Sequence, residues 1–174
     1  MPTPMNKEKF KLSAQARSLL LAPVLAGGEK RFASDCYVEG YAAKYDTYLL
    51  YDDGEYGKVY ERFDPGCFAG TDMSDVIMQY DHCGRVFART TNGTLLVEPD
   101  VVGLFMAGDL SKTDRAKDLY ADIDAGMVTK MSWRFKVGDY HIERTEGSKD
   151  FTIVHTRVAK IYDVSAVSIP ANDN

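Results

Sequence analysis

The sequence is short of the residues that build metal sites and disulfide frameworks. Its three cysteines, Cys36, Cys67 and Cys83, share no metal-type spacing and cannot all pair with one another, which reads as reduced thiols in a cytosolic setting. There are only three histidines, His82, His141 and His155, and no HxxxH, HxH or CxxC spacing, so no metal and no other cofactor is expected. Glycine-rich phosphate loops are absent. No stretch approaches the roughly 18 apolar residues of a membrane span, and "SLLLAPVLA" is too short. Its basic flank "MNKEKFK" has the look of a secretion signal, but Ala26-Gly27-Gly28-Glu29-Lys30 is a poor cleavage region, which argues against export. With a net charge of −5 and acidic and basic residues interspersed, nothing forms a basic stripe with interleaved aromatics. Neither nucleic acid nor membrane is expected as a partner. What remains is an ordinary globular composition, 45% apolar and 27% charged over 174 residues, enough for one domain that needs no covalent staple.

Residues 1–34 read differently from the rest. "KFKLSAQARSLLLAPVL" sets Phe10, Ala14, Leu20 and Leu21 among good helix formers, with Pro23 and Gly27-Gly28 as a stop. The segment is expected to be an N-terminal arm, helical or flexible, and the compact domain, 35–174, to begin near Asp35. From there the period is mostly two. "CYVEGYAAKY", "GKVYERF", "DVIMQY", "TLLVEP", "VGLFMAGDL", "KMSWRFKVGDYHIE" and "DFTIVHTRVAKIYDVSAVSI" carry β-branched or aromatic residues in short runs between turn signals such as Asp64-Pro65-Gly66 and Asn92-Gly93. One long helix interrupts: "KTDRAKDLYADIDAGM" has Ala116, Leu119, Tyr120 and Ile123 at helical spacing, Thr113 as N-cap and Gly126 as stop. "PGCFAGT" suggests a second, short one. The fold class expected is β-rich α+β, a mostly antiparallel barrel or sandwich with a few helices.

His141 sits in a polar hairpin end and reads as a surface residue. His155 alternates with Ile153 and reads as a half-buried strand histidine. His82 closes the apolar run "VIMQY" and precedes Gly84, where the backbone can turn and a side chain can face a cleft. Cys83 follows His82 directly, and neighbours in an extended strand point to opposite faces, so Cys83 reads as a small buried hydrophobe. In "KMSWRFKVG", Met131, Trp133, Phe135 and Val137 alternate with Ser132 and Arg134, which places Ser132 and Arg134 together on the face away from the core. A serine hydroxyl is a poor nucleophile without an adjacent base. His82 is the best-placed base, with Asp163 or His155 as the group that orients it. Arg134 and Arg157 are candidate donors to an oxyanion.

The order "GYAAKYD", an apolar run closed by "YDH", "NGTLLVEPDVVGLFMAGDL", "DLYADIDAGMVTKMSWRFKV" and "VAKIYDVSAVSIPA" resembles the prohead maturation proteases of tailed bacteriophages, over residues 38–171. The resemblance implies a serine peptidase domain over 35–174, related in fold to herpesvirus assemblin, a β-barrel surrounded by helices. It puts the family histidine on His82, the family serine on Ser132 and the acidic third member on Asp163. Family members act inside the immature capsid in the bacterial host, cut the scaffold and the major capsid protein, and commonly cut themselves; a homo-oligomer is also open. Two departures stand out: Asp81-His82-Cys83 where the family commonly has Asn-His-Asp, and Arg134 where a small residue often follows the aromatic. The competing expectation is a catalytically weak or inactive protein associated with the scaffold during assembly. The chain ends four residues after Pro170, without the long charged helical tail of a scaffold-fused form, which favours the protease. A cysteine-dependent hydrolase using Cys83 or Cys67 is the third reading.

Overall fold

The computed structural model describes residues 29–52 and 54–169, together with the backbone of 19–22. Ten strands and one α-helix are formed among them: β1 (Leu19–Ala22), β2 (Tyr37–Lys44), β3 (Tyr48–Asp52), β4 (Lys58–Phe63), β5 (Ile77–Tyr80), β6 (Cys83–Arg89), β7 (Leu95–Pro99), β8 (Gly103–Asp109), α1 (Asp114–Asp124), β9 (Lys130–Arg144) and β10 (Phe151–Val167). The sheet runs β3-β4-β10-β9-β1-β2-β8-β7, with β5 also on β10 and β6 on β5. Among the described residues this path does not return on itself, so the β-rich class stands while the expected barrel is not closed. Pairing is mostly antiparallel, but β10 is parallel to β4 through Phe151–His155 and to β5 through Asp163–Ala166. Both parallel contacts arise because β10 is 17 residues long and passes two shorter strands in turn.

The expected helix is α1. Thr113 caps it by accepting from the Ala116 amide, Ala116, Leu119 and Ile123 are buried, and Gly126 ends it with a left-handed φ of 72°. "PGCFAGT" forms turns instead of a second helix. Its amides bond back over three residues, Cys67 to Asp64 and Ala69 to Gly66, and Gly66 and Gly70 both have positive φ, which breaks a helix.

The arm also departs from expectation. Leu19–Ala22, where the sequence favours a helix, pairs as a strand with β9 on one side and β2 on the other. The helix expected around Phe10 and Ala14 lies outside the described residues. Contacts with the domain begin before Asp35: the Arg31 amide donates to the Tyr37 hydroxyl, and the Ser34 hydroxyl donates to Asp109 at 2.5 Å.

The core is organised around the β9–β10 hairpin. Trp133 is fully buried, stacks on Phe135 with ring centroids 4.2 Å apart, and meets Phe63 at 5.2 Å. Burying Trp133 and Met131 on one face commits Ser132 and Arg134 to the other. Trp133→Ala is therefore expected to cost about 3–5 kcal/mol in denaturant unfolding, close to the full cavity penalty, because the rigid rings around it leave little room for collapse.

Candidate active site

Two strands and a turn bring the candidate residues together. Ser132 on β9 lies directly opposite Ser165 on β10, and Arg134 lies opposite Asp163. Asp163 reaches that face through an irregularity. Ile161 pairs with Phe135 on the core side, yet Asp163 pairs with Arg134, so Tyr162 is an extra residue with no opposite number. A strict period of two would have put Asp163 beside Ile161 in the core; the bulge at Tyr162 turns it to the face of Ser132.

His82 comes from the tight connection between β5 and β6. Tyr80 and Cys83 are the last paired residues, which leaves Asp81 and His82 as a two-residue loop with φ of 49° and 58°. Two consecutive positive φ values suit the right-handed twist of a hairpin, and Asp and His tolerate them better than most side chains. Each costs about 1–3 kcal/mol and persists only where the surroundings hold it. Here they do. The Asp81 amide donates to the Ala166 carbonyl, and its carboxylate accepts from the amide and hydroxyl of Ser168.

The turn lays the imidazole across the two strands. Nε2 of His82 is 2.7 Å from Ser132 Oγ, and Nδ1 is 2.5 Å from Asp163 Oδ1. Asp163 also accepts from Ser165 Oγ at 2.7 Å and, through Oδ2, from Arg134 Nε at 2.6 Å. Burial alone would push this carboxyl up. The hydrogen bonds from His82, Ser165 and Arg134 outweigh it and hold Asp163 below the ordinary carboxylate range. An ionised carboxylate only accepts, so Nδ1 carries the imidazole proton and Nε2 presents its lone pair to the serine hydroxyl. Ser132 and Asp163 are buried, and the His82 side chain keeps 17% of its surface exposed, so the imidazole is the member of the three that meets solvent.

The other histidines are elsewhere engaged. His155 is buried, stacked on Phe63, with Nε2 2.7 Å from Glu61 Oε1. His141 is exposed, 3.3 Å from Glu143. Of the two arginines considered for an oxyanion, Arg157 pairs with Asp139 at the surface and Arg134 is turned to Asp163. Cys83 is exposed, contrary to the expected buried position, because the loop before it and Gly84 after it lift it out of any alternating run. Cys67 is buried, and burial, reinforced by the Asp64 charge, pushes its thiol up to about 12, which removes the thiolate a nucleophile needs. Among the described residues, no three His, Cys, Asp or Glu side chains are grouped to hold a metal ion, and no helix is long and apolar enough to cross a membrane.

Two members of the network were not anticipated from sequence. Ser165 bonds Asp163, and the Gln79 backbone N–H donates to Ser165 Oγ at 3.2 Å. Ser165 was within reach, since it follows Asp163 by two residues and therefore shares its face. Gln79 was not, because its place depends on the parallel pairing of β5 with β10.

A serine, a histidine and a carboxylate linked in this order define the class of hydrolases that work through an activated serine. The chain belongs to the caudovirus prohead serine protease family, whose model matches residues 29–174. No curated protein and no solved structure matched the chain.

Proposed function

We propose that this protein is an endopeptidase of phage prohead maturation in which Ser132 is the nucleophile, His82 the general base and Asp163 the carboxylate that orients the base. It acts within the immature capsid in the bacterial host, on segments of the scaffold and of the major capsid protein, and on its own chain. The observation that carries this reading is the unbroken line from Ser132 Oγ through both ring nitrogens of His82 to Asp163.

The chemistry follows from the proton positions. Nε2 takes the hydroxyl proton as Ser132 Oγ attacks the peptide carbonyl, and Asp163 stabilises the imidazolium that forms. Collapse of the tetrahedral intermediate breaks the C–N bond, and the imidazolium delivers its proton to the departing amine. Water then repeats the sequence on the acyl-enzyme and releases the new carboxyl terminus.

The test is incubation of purified wild type and Ser132→Ala with capsid-protein and scaffold precursors. Fragments from the wild type alone are expected. Intact precursors in both, with the wild type still joining capsid assembly, would favour the scaffold-associated alternative.

A further inference from the structure

Arg134 Nε donates to Asp163 Oδ2, while its Nη2 donates to the backbone carbonyl of His82 and, at 3.3 Å, to Gln79 Oε1. Gln79 closes a ring. Its backbone N–H donates to Ser165 Oγ, and Ser165 Oγ donates to Asp163 Oδ1. Gln79 Nε2 also holds the Gly84 carbonyl at 3.2 Å, just beyond the strained turn. One guanidinium thus touches the carboxylate that orients the imidazole, the backbone of the residue that carries it, and the side chain that anchors the strand leading into the turn.

We propose that Arg134 is a positioning residue for the His82–Asp163 pair, tying the positive-φ turn on β5–β6 to the carboxylate on β10 so that Nε2 meets Ser132 Oγ. This rests on the reading of Ser132 and His82 as nucleophile and base. A guanidinium suits the task because its donors are fixed in one plane and can serve a carboxylate and a carbonyl together. A lysine ammonium is a point charge on a flexible stem and reaches one of them. The arrangement also gives Arg134 a role other than oxyanion donor, since Nε and Nη2 are both spent on the ground-state network.

The proposal is tested in the full chain with Arg134→Met and Arg134→Lys, using two readings and a thermal transition to verify folding. The first is the strongly downfield proton resonance of the His82 Nδ1–H bonded to Asp163, assigned by its loss in His82→Gln. The second is the rate at which Ser132 is acylated by a fluorophosphonate. Arg134→Met is expected to lose or broaden the resonance and to slow acylation on the order of 10²-fold, the scale of a small misplacement of reacting groups. Arg134→Lys is expected to keep the resonance, because a cation still faces Oδ2, and to slow acylation about tenfold because the His82 carbonyl is released. Arg134→Met with both readings unchanged overturns the proposal. So does an Arg134→Met variant that keeps the resonance and loses only rate, which would make Arg134 an oxyanion donor. If the methionine variant does not fold, the lysine variant decides, and full-rate acylation in it overturns the proposal. If the wild type shows the resonance but Ser132 takes no label, the nucleophile assignment falls, while the resonance in the variants still decides the role of Arg134.

Discussion

Ser132→Ala and His82→Ala are each expected to abolish precursor cleavage and self-cleavage, with a loss of about 10⁴- to 10⁶-fold, while the fold survives. Ser132 Oγ donates one bond to His82 Nε2, and alanine keeps the rest of the side chain, so removal of the hydroxyl leaves an intact sheet. His82 sits on a loop whose backbone is held by Asp81, Ser168 and Arg134, so the turn keeps its anchors without the ring. Groups that act as one unit are strongly non-additive, and the double variant should be little worse than either single one. The comparison is made by single-turnover cleavage at matched protein concentration, with thermal unfolding run in parallel. Full activity in a folded Ser132→Ala would dispose of the assignment.

Asp163→Asn is expected to lower the rate by about 10²- to 10⁴-fold, with the hydroxyl and imidazole still in place. The amide can present an N–H to Nδ1 where the carboxylate presented a lone pair, which favours the wrong tautomer and points a proton at Ser132. Two other partners set the scale of the effect. Ser165 and Arg134 both donate to this carboxylate, and a neutral amide cannot satisfy them as well as the ion does. The stabilising part of this network should weaken as pH falls. Asp163 lies below its ordinary range in the folded protein, so its contribution is complete above the unfolded carboxylate value and is lost as pH drops through the folded one. His155 supplies the control: paired with Glu61 and stacked on Phe63, His155→Ala should act through stability and spare the chemistry of the remaining folded protein. Should His155→Ala prove the more damaging change at the chemical step, His155 and not Asp163 would orient the base.

Much of this site could be read in the sequence because local alternation carries it. Ser132 and Arg134 share a face for the same reason that Trp133 and Phe135 share the other, and both placements follow from a period of two. The turn that carries His82 was signalled by the end of an apolar run with Gly84 two residues on. Features that depend on non-local pairing were out of reach. The bulge at Tyr162 reverses the face of Asp163, and it exists only because β9 and β10 fall out of step there. Cys83 was placed inside on the assumption of an extended strand through His82, but Asp81 and His82 form a turn and β6 is exposed from Cys83 to Val86. Leu19–Ala22 is an unbroken apolar run, a pattern that a helix and a buried strand share, and its flanking helix formers tipped the balance the wrong way. Closure of the sheet into a barrel likewise depends on which distant strands meet at its ends.

The most direct test is to treat the full chain with a fluorophosphonate and locate the adduct by peptide mass mapping, alongside the loss of precursor cleavage. One adduct on Ser132, formed in step with the loss of activity and absent from His82→Ala, is the expected result. An adduct on another residue, or an activity that survives full modification of Ser132 and is instead abolished by a thiol reagent at Cys83, would contradict it.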